Sequence, residues 1–239
     1  MNWVISWEVY DNKMILPREK AIIIGTVLGD AHLAMLKTNA RLEIGHSEKQ
    51  RPYLFWKYRE LKKFTSSKPH CLKIFDPRYN KLHTQWRFKT RVNEFFTELH
   101  QIFYPKGKKI ITDKIHLLVK YPLSLAVWYM DDGGRRNDCY GMFLNTLSFT
   151  KKENRILSKC LKRNFSLNSH IHWVQDGYRL YIPSKDAKRF CELIYTYIIP
   201  SMHYKLSYNP VTTSFARLDR ARDRIKKTFY NTSVPLLKS

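Results

Sequence analysis

The chain has 239 residues, of which 44% are hydrophobic and 26% charged, a balance typical of a globular protein with a sizeable core. Its 43 Lys and Arg outweigh 20 Asp and Glu, and the resulting formal charge of +23 indicates a polyanionic partner, above all nucleic acid. The four cysteines stand far apart without a CxxC pair, which excludes zinc-ligand and disulfide-framework spacing and favours reduced thiols in an intracellular protein.

The N-terminal segment, MNWVISWEVYDNK, has an acid and polar residues where a signal peptide needs an uninterrupted apolar run. No apolar stretch further along the chain reaches the ~18 residues that span a bilayer. We therefore expect an N-terminal extension over residues 1–17 and no membrane partner. A gene product made inside an organelle would also lack a transit peptide, so a location in a mitochondrion or chloroplast stays open.

An apolar run that ends abruptly at an Asp occurs twice. The first, AIIIGTVLGDAHL, reaches Asp30, and the second, LSLAVWYMDDGGR, reaches Asp132. Each run is long for a strand and predicts a buried helix whose C-terminal end delivers a carboxylate to a surface. Gly25 and Gly29 lie four residues apart on one face of the first helix. They would let the two helices pack side by side and bring the two acids together.

The segments that follow the runs also correspond. Residues 41–64 and 142–165 each contain a strand-like stretch that leads into an amphipathic helix, and both Ser47 with Ser148 and Phe64 with Phe165 align at an offset of 101 residues. Residues 85–110 and 178–206 each contain a short basic strand, an amphipathic helix, a Pro and a Lys.

The order in each half is therefore helix, two strands, helix, two strands, helix. This order predicts an α/β fold with two pseudo-symmetric repeats, each with a curved antiparallel sheet. We assign the first repeat to residues 18–116, the second repeat to 117–212, and a basic C-terminal helix and tail to 213–239.

The nonamers IIGTVLGDA (23–31) and LAVWYMDDG (125–133) resemble the two motifs of a monomeric, two-repeat LAGLIDADG homing endonuclease. The order and polarity of the flanking segments resemble that family from about residue 20 to about residue 210. The second motif departs from the consensus because Val127 and Trp128 stand where the family has Gly and Leu. We therefore expect the two helices to pack asymmetrically, which leaves the geometry of the metal sites open.

The resemblance implies site-specific cleavage of both strands of a long DNA duplex. It implies that Asp30 and Asp132 hold Mg²⁺, or Mn²⁺ in its place, between the scissile phosphates, with the backbone carbonyls of Gly29 and Asp131 as adjacent ligands. Carboxylates can hold such metals at a phosphate, where they assist both the attacking and the leaving oxygen.

The family also places a Lys near the end of each repeat, close to the cleavage centre. The matching residues are Lys109, or its neighbour Lys108, in the first repeat and Lys205 in the second. A Lys at that place could stabilise charge on the phosphate or position a water molecule.

In the family's arrangement each sheet lies in the major groove over half of the target, where every base pair presents a distinct edge. Polar and basic residues that alternate along the strands are the candidates for DNA contacts. Those candidates are Arg41, Glu43, His46, Arg78, Arg87, Lys89 and Arg91 in the first repeat and Arg135, Arg136, Asn145, His170, His172, Gln175 and Arg179 in the second. Because the two sets differ, we expect a non-palindromic target.

The alternative is an RNA-binding maturase that uses the same fold to help an intron RNA splice, with or without cleavage. That role needs the basic surface but not the two acids, and both acids are present, so the sequence favours the nuclease. A transcriptional regulator built on this fold would be expected to carry a helix-turn-helix or zinc module, and neither pattern occurs. A single chain with both repeats fused is expected to act as a monomer.

Overall fold

The computed structural model describes residues 15–77 and 80–212. Arg78 and the predicted C-terminal helix and tail lie outside the described residues, as does most of the predicted N-terminal extension. Seven α-helices and eight strands occur within the described ranges. In chain order they are α1 (Pro17–Leu28), β1 (His32–Met35), β2 (Ala40–Ser47), α2 (Arg51–Glu60), β3 (His70–Asp76), β4 (Lys81–Lys89), α3 (Glu94–Phe103), α4 (Ile115–Leu118), α5 (Pro122–Asp132), β5 (Gly133–Arg135), β6 (Met142–Leu144), α6 (Lys151–Phe165), β7 (His170–Val174), β8 (Gly177–Ile182) and α7 (Ser184–Ile194).

The strands form two antiparallel sheets of the same topology. Their orders are β1-β2-β4-β3 and β5-β6-β8-β7. The predicted order of helices and strands is confirmed in both halves, with the single turn α4 added in the segment that joins them. Each sheet keeps one face for the core and leaves the other open, because the side chains of a strand alternate. In β2, for example, Leu42 and Ile44 are buried while Arg41 and Glu43 remain partly exposed.

The first helix of each half is buried nearly all round. Every residue of α1 from Ala21 to Leu28 and every residue of α5 from Leu123 to Asp131 is buried. The two helices pack against one another at the centre of the molecule, so each needs apolar side chains on more than one face. They have 12 and 11 residues, and no helix in the described ranges is long and apolar enough to cross a membrane.

The contact between α1 and α5 is asymmetric, as the two motifs indicated. A Cβ at Gly25 would lie 2.5 Å from the Ser124 carbonyl oxygen and 2.7 Å from the Val127 Cβ. A Cβ at Gly29 would lie 2.4 Å from the Cβ of Asp131. The glycines of the first motif therefore accept the larger side chains of the second, and Val127 replaces the consensus Gly without separating the helices.

We expect Gly25→Ala to lower the free energy of unfolding by about 2 kcal/mol, since the new methyl group meets backbone and side-chain atoms that cannot withdraw. Urea titration measures the change. Gly45→Ala on the open face of β2 is the matched control, because its Cβ would meet only the side chains of Arg87 and Gln85, at 3.2 Å. Equal stability of the two variants would contradict this account of the helix contact.

Candidate active site between the two repeats

The paired helices bring both predicted catalytic acids to the same end of the molecule. Asp30 follows the end of α1, and Asp132 is the last residue of α5. The backbone N–H of Asp30 lies 3.4 Å from the Oδ2 atom of Asp131, so the ends of the two motifs are in direct contact. The predicted meeting of the two motifs thus follows from the helix packing.

The carboxylates at this end of the helices repel each other. Burial, together with the charges of Asp30 and Asp131, raises the pKa of Asp132 to about 8. Burial and the Asp131 carboxylate also raise the pKa of Asp30 above its usual range. Both shifts mean that the site disfavours a full set of negative charges, which a bound cation would relieve.

Two lysines approach the ends of the motifs in a pseudo-symmetric way. The Nζ atom of Lys109 donates to the carbonyl oxygen of Gly29 at 3.0 Å, and that of Lys205 donates to the carbonyl oxygen of Asp131 at 2.9 Å. Burial lowers the pKa of each lysine against the opposing pull of the carboxylates. Of the two lysines predicted at the first position, Lys109 is the one at the site, whereas Lys108 is exposed.

A third lysine, which the sequence analysis missed, lies deeper in the same site. Lys57 of α2 donates from Nζ to both carboxylate oxygens of Asp131, at 2.7 and 2.9 Å. Both side chains are completely buried. Two features could have predicted this buried ion pair. Lys57 lies on the apolar face of α2, three residues after the buried Leu54, and an Asp interrupts the apolar second motif.

His46 differs from its predicted role as a DNA contact. It shares the core face of β2 with Leu42 and Ile44 and is only 3% exposed, so its ring does not lie on the open face. Its Nε2 atom lies 3.2 Å from Lys57 Nζ and its Nδ1 atom 3.2 Å from Gln50 Oε1. Burial and the charge of Lys57 lower its pKa to about 3, which keeps the ring neutral. The neutral ring then accepts from Lys57 and donates to Gln50.

The open face of the first sheet carries most of the remaining candidates from that repeat. Glu43 pairs with Lys89 in the register of β2 and β4, and Arg87 lies two residues away on the same face. Arg41 also lies on this face and forms an ion pair with Glu43, N to O 2.6 Å. Arg91 differs, because it follows the end of β4 and its guanidinium donates to the carbonyl oxygen of Lys63 beyond α2.

The open face of the second sheet likewise gathers several candidates. His170 and His172 of β7 pair with Tyr181 and Arg179 of β8. The Arg179 guanidinium lies 4.5 Å from the Phe143 ring centre, and that of Arg136 lies 5.9 Å from the Tyr181 ring centre, so both basic groups are on this face.

Three candidates of the second repeat lie elsewhere. Asn145 is exposed just beyond β6, and its backbone N–H donates to the carbonyl oxygen of Asp132, which places it beside the acids. Gln175 is exposed in the turn between β7 and β8. Arg135 is exposed near the end of β5, and because its register partner is the buried Met142, its side chain lies on the opposite face from Phe143. Strand alternation explains this placement.

The donor set at the ends of the helices fits a divalent cation that prefers oxygen ligands. The carboxylates of Asp30 and Asp132 and the carbonyl oxygens of Gly29 and Asp131 are all oxygen donors. One oxygen each of Asp30 and Asp131 and one nitrogen of His46 lie within 4.8 Å of one another. Because the Asp131 carboxylate is already paired with Lys57, Asp30 and Asp132 are the candidate carboxylate ligands of a cation.

We expect Asp132→Asn to stabilise the protein in EDTA, and more at pH 8 than at pH 5. The pKa of about 8 lies above the ordinary 3.8, so the folded state binds the extra proton and loses stability as the pH rises through this window. Urea unfolding at both pH values measures the effect. Asp176→Asn, at an exposed turn, is the control, and a pH-independent effect of Asp132→Asn would contradict the assigned repulsion.

Comparison with known proteins agrees with this geometry. The profile of the LAGLIDADG DNA endonuclease family matches residues 20–190. The chain is 33% identical over 196 residues to "Probable intron-encoded endonuclease 1" of Wickerhamomyces canadensis, covering 80% of this chain and 84% of the relative. It is 35% identical over 122 residues to "Cytochrome b mRNA maturase bI2" of Debaryomyces hansenii, covering 50% of this chain and 45% of that protein.

A solved structure resembles the fold over most of its length. The homing endonuclease I-WcaI bound to its DNA recognition sequence superposes with a TM-score of 0.76 and 31% identity, covering 83% of this chain and 89% of the other. The family profile spans both motifs and both sheets, and the similarity to the solved structure extends over the same two halves. The chain therefore belongs to the LAGLIDADG DNA endonuclease family, as a two-repeat homing endonuclease.

Proposed function

We propose that this chain is a site-specific endonuclease that cuts both strands of a long, non-palindromic DNA duplex by metal-dependent phosphodiester hydrolysis. The observation that carries the proposal is the pair of acids, Asp30 and Asp132, at the touching ends of two buried helices. A lysine lies at each motif end, the half-buried Lys109 and the buried Lys205. The site lies between two sheets whose open faces carry basic side chains. That combination serves a reaction in which charge builds on a phosphate.

Each acid has a defined part in the proposed reaction. Asp30 and Asp132 hold Mg²⁺, for which Mn²⁺ substitutes, with help from the carbonyl oxygens of Gly29 and Asp131. The bound cation would neutralise charge on the scissile phosphate and promote ionisation of the attacking water. The raised pKa of Asp132 supports this assignment, since a ligand carboxylate in a crowded acidic site gains most from a nearby cation.

Lys109 and Lys205 lie where they can serve the phosphate directly. Each ammonium group is held by carbonyl oxygens of a motif end, at distances between 2.5 and 3.2 Å. If those carbonyl oxygens held a cation, the ammonium groups would be free to contact the phosphate oxygens or to orient a water molecule. We assign one lysine to each strand of the DNA.

The two open sheet faces are assigned to the two halves of the target. Arg41, Glu43, Arg87 and Lys89 present one set of polar groups, and His170, His172, Arg136 and Arg179 present a different set. Different side chains read different base edges, so the half-sites differ and the target lacks a palindrome. Because both half-sites are served by one chain, the enzyme acts as a monomer.

A maturase is the second candidate, and the similarity to "Cytochrome b mRNA maturase bI2" favours it. An intron RNA would then bind the same basic faces. The organellar location of an intron-encoded gene accompanies either function as part of the proposal.

The cleavage test uses a supercoiled plasmid in which the DNA flanking this gene's host element is joined without interruption. We expect linear DNA with Mg²⁺ and binding without cleavage in Ca²⁺. Asp30→Asn or Asp132→Asn should each lower the rate at least about a hundredfold, since each removes a cation ligand. Binding of the duplex without any cleavage by the wild type would reject the endonuclease and favour the maturase, which a binding assay with the intron RNA would then test.

The sheet assignment has its own test, in which two variants have the same change of net charge. Lys89→Glu reverses a charge on the open face of the first sheet, whereas Lys159→Glu reverses an exposed charge on the covering helix α6. We expect the first variant to bind the duplex at least about tenfold more weakly and the second to stay close to the wild type. Equal losses, measured by fluorescence anisotropy in Ca²⁺ at fixed salt, would overturn the assignment.

A further inference from the structure

A buried ion pair crosses from one repeat to the other. Lys57 belongs to α2 of the first repeat and Asp131 to α5 of the second, and the Nζ atom of Lys57 contacts both carboxylate oxygens. Neither side chain has any exposed surface. A charge pair in such a place is costly to desolvate and contributes little net stability, which directs attention to a role other than stability.

The same carboxylate also contacts the first catalytic acid. Oδ2 of Asp131 accepts from the backbone N–H of Asp30 at 3.4 Å, and the side chain of Asp131 fits against Gly29, where a Cβ would be only 2.4 Å away. His46, held by Lys57 through Nε2, places Nδ1 3.6 Å from Oδ2 of Asp30. The backbone and the side chain of Asp30 are therefore both adjacent to groups that Lys57 holds in place.

This arrangement serves one acid and has no counterpart for the other. The covering helix α6 of the second repeat buries Asn154, Leu157, Cys160, Leu161 and Phe165, so it has no buried charged residue that would correspond to Lys57 of α2. In the aligned motifs, Gly29 stands where Asp131 stands. Within the described residues, no side chain of the first repeat makes a contact with Asp132 that corresponds to the contact of Asp131 with the Asp30 N–H.

We infer that the Lys57–Asp131 pair is a positioning device for Asp30 and sets the relative rates at which the two DNA strands are cut. This inference rests on the proposed endonuclease function. Catalysis depends steeply on the placement of the reacting groups, and a displacement of about 1 Å can cost a hundredfold in rate. Loss of the pair should disturb the Asp30 half of the site while leaving the support of Asp132 unchanged.

The test follows the cutting of the supercoiled plasmid through nicked to linear DNA. Lys57→Met combined with Asp131→Leu removes both charges together, so that no lone charge remains buried. We expect nicked circles to accumulate, with the nick always in the same strand, and the second cut to slow at least about tenfold relative to the first. Strand-specific end labels identify which strand remains uncut.

A companion variant separates positioning from charge. Lys57→Met combined with Asp131→Asn also removes both charges but keeps a side-chain oxygen that can accept from the Asp30 N–H. Its ratio of the two cutting rates should lie between that of the wild type and that of the Asp131→Leu combination. If the Leu combination does not fold, as judged by circular dichroism and melting temperature, this companion carries the test.

Val127→Ala is the matched control at the same interface. It shortens a buried side chain that packs against Gly25 in the contact between α1 and α5 and leaves Lys57 and Asp131 in place. We expect a lower melting temperature and an unchanged ratio of the two cutting rates. A purely structural role for Lys57 and Asp131 would make their variants behave in the same way.

The outcomes separate the two proposals. If the wild type cuts both strands and the charge-removing variants slow both cuts by the same factor, the positioning role is overturned and the endonuclease stands. If the wild type binds the duplex and cuts neither strand, the proposed function fails and this inference fails with it.

Discussion

Two apolar helices, one from each half of the chain, approach closely because Gly25 and Gly29 leave room on the first motif for Val127 and Asp131 of the second. This contact fixes the distance between the two motif ends and therefore the place where the acids meet. It also sets the two sheets on either side of the site. The packing of the two helices inside the molecule thus determines how far apart the acids lie at the surface where DNA would bind.

When the motif ends meet, their carboxylates repel one another, and the surrounding lysines offset this repulsion only in part. Asp30 and Asp132 both have raised pKa values because they are partly buried beside other carboxylates. The Asp131 carboxylate is neutralised from within by Lys57, which leaves the outer acids for a cation from solution. The Asp131 carboxylate is therefore held inside the protein by Lys57, whereas its neighbour Asp132 is a metal-ligand candidate.

Strand alternation decided which of the predicted DNA contacts share an open face. Arg87 precedes the buried Phe88 by one residue and Lys89 follows it by one. Both therefore lie on the open face of the first sheet. His46 and Arg135 lie on the opposite face because each shares its side of the strand with core residues. All of these residues were predicted as DNA contacts from their polarity alone. The burial of neighbouring residues was needed to tell which of them lie on the open face.

The sequence by itself determined the repeat, the order of its elements and the two helix-end acids, because apolar periodicity and the positions of Asp30 and Asp132 are local properties of the chain. Only the tertiary structure decided that Lys57 meets Asp131, that His46 faces inward and that Lys109 rather than Lys108 reaches the site. A buried charge finds its partner through packing between elements that are distant in sequence. No sequence pattern within a single segment predicts that pairing.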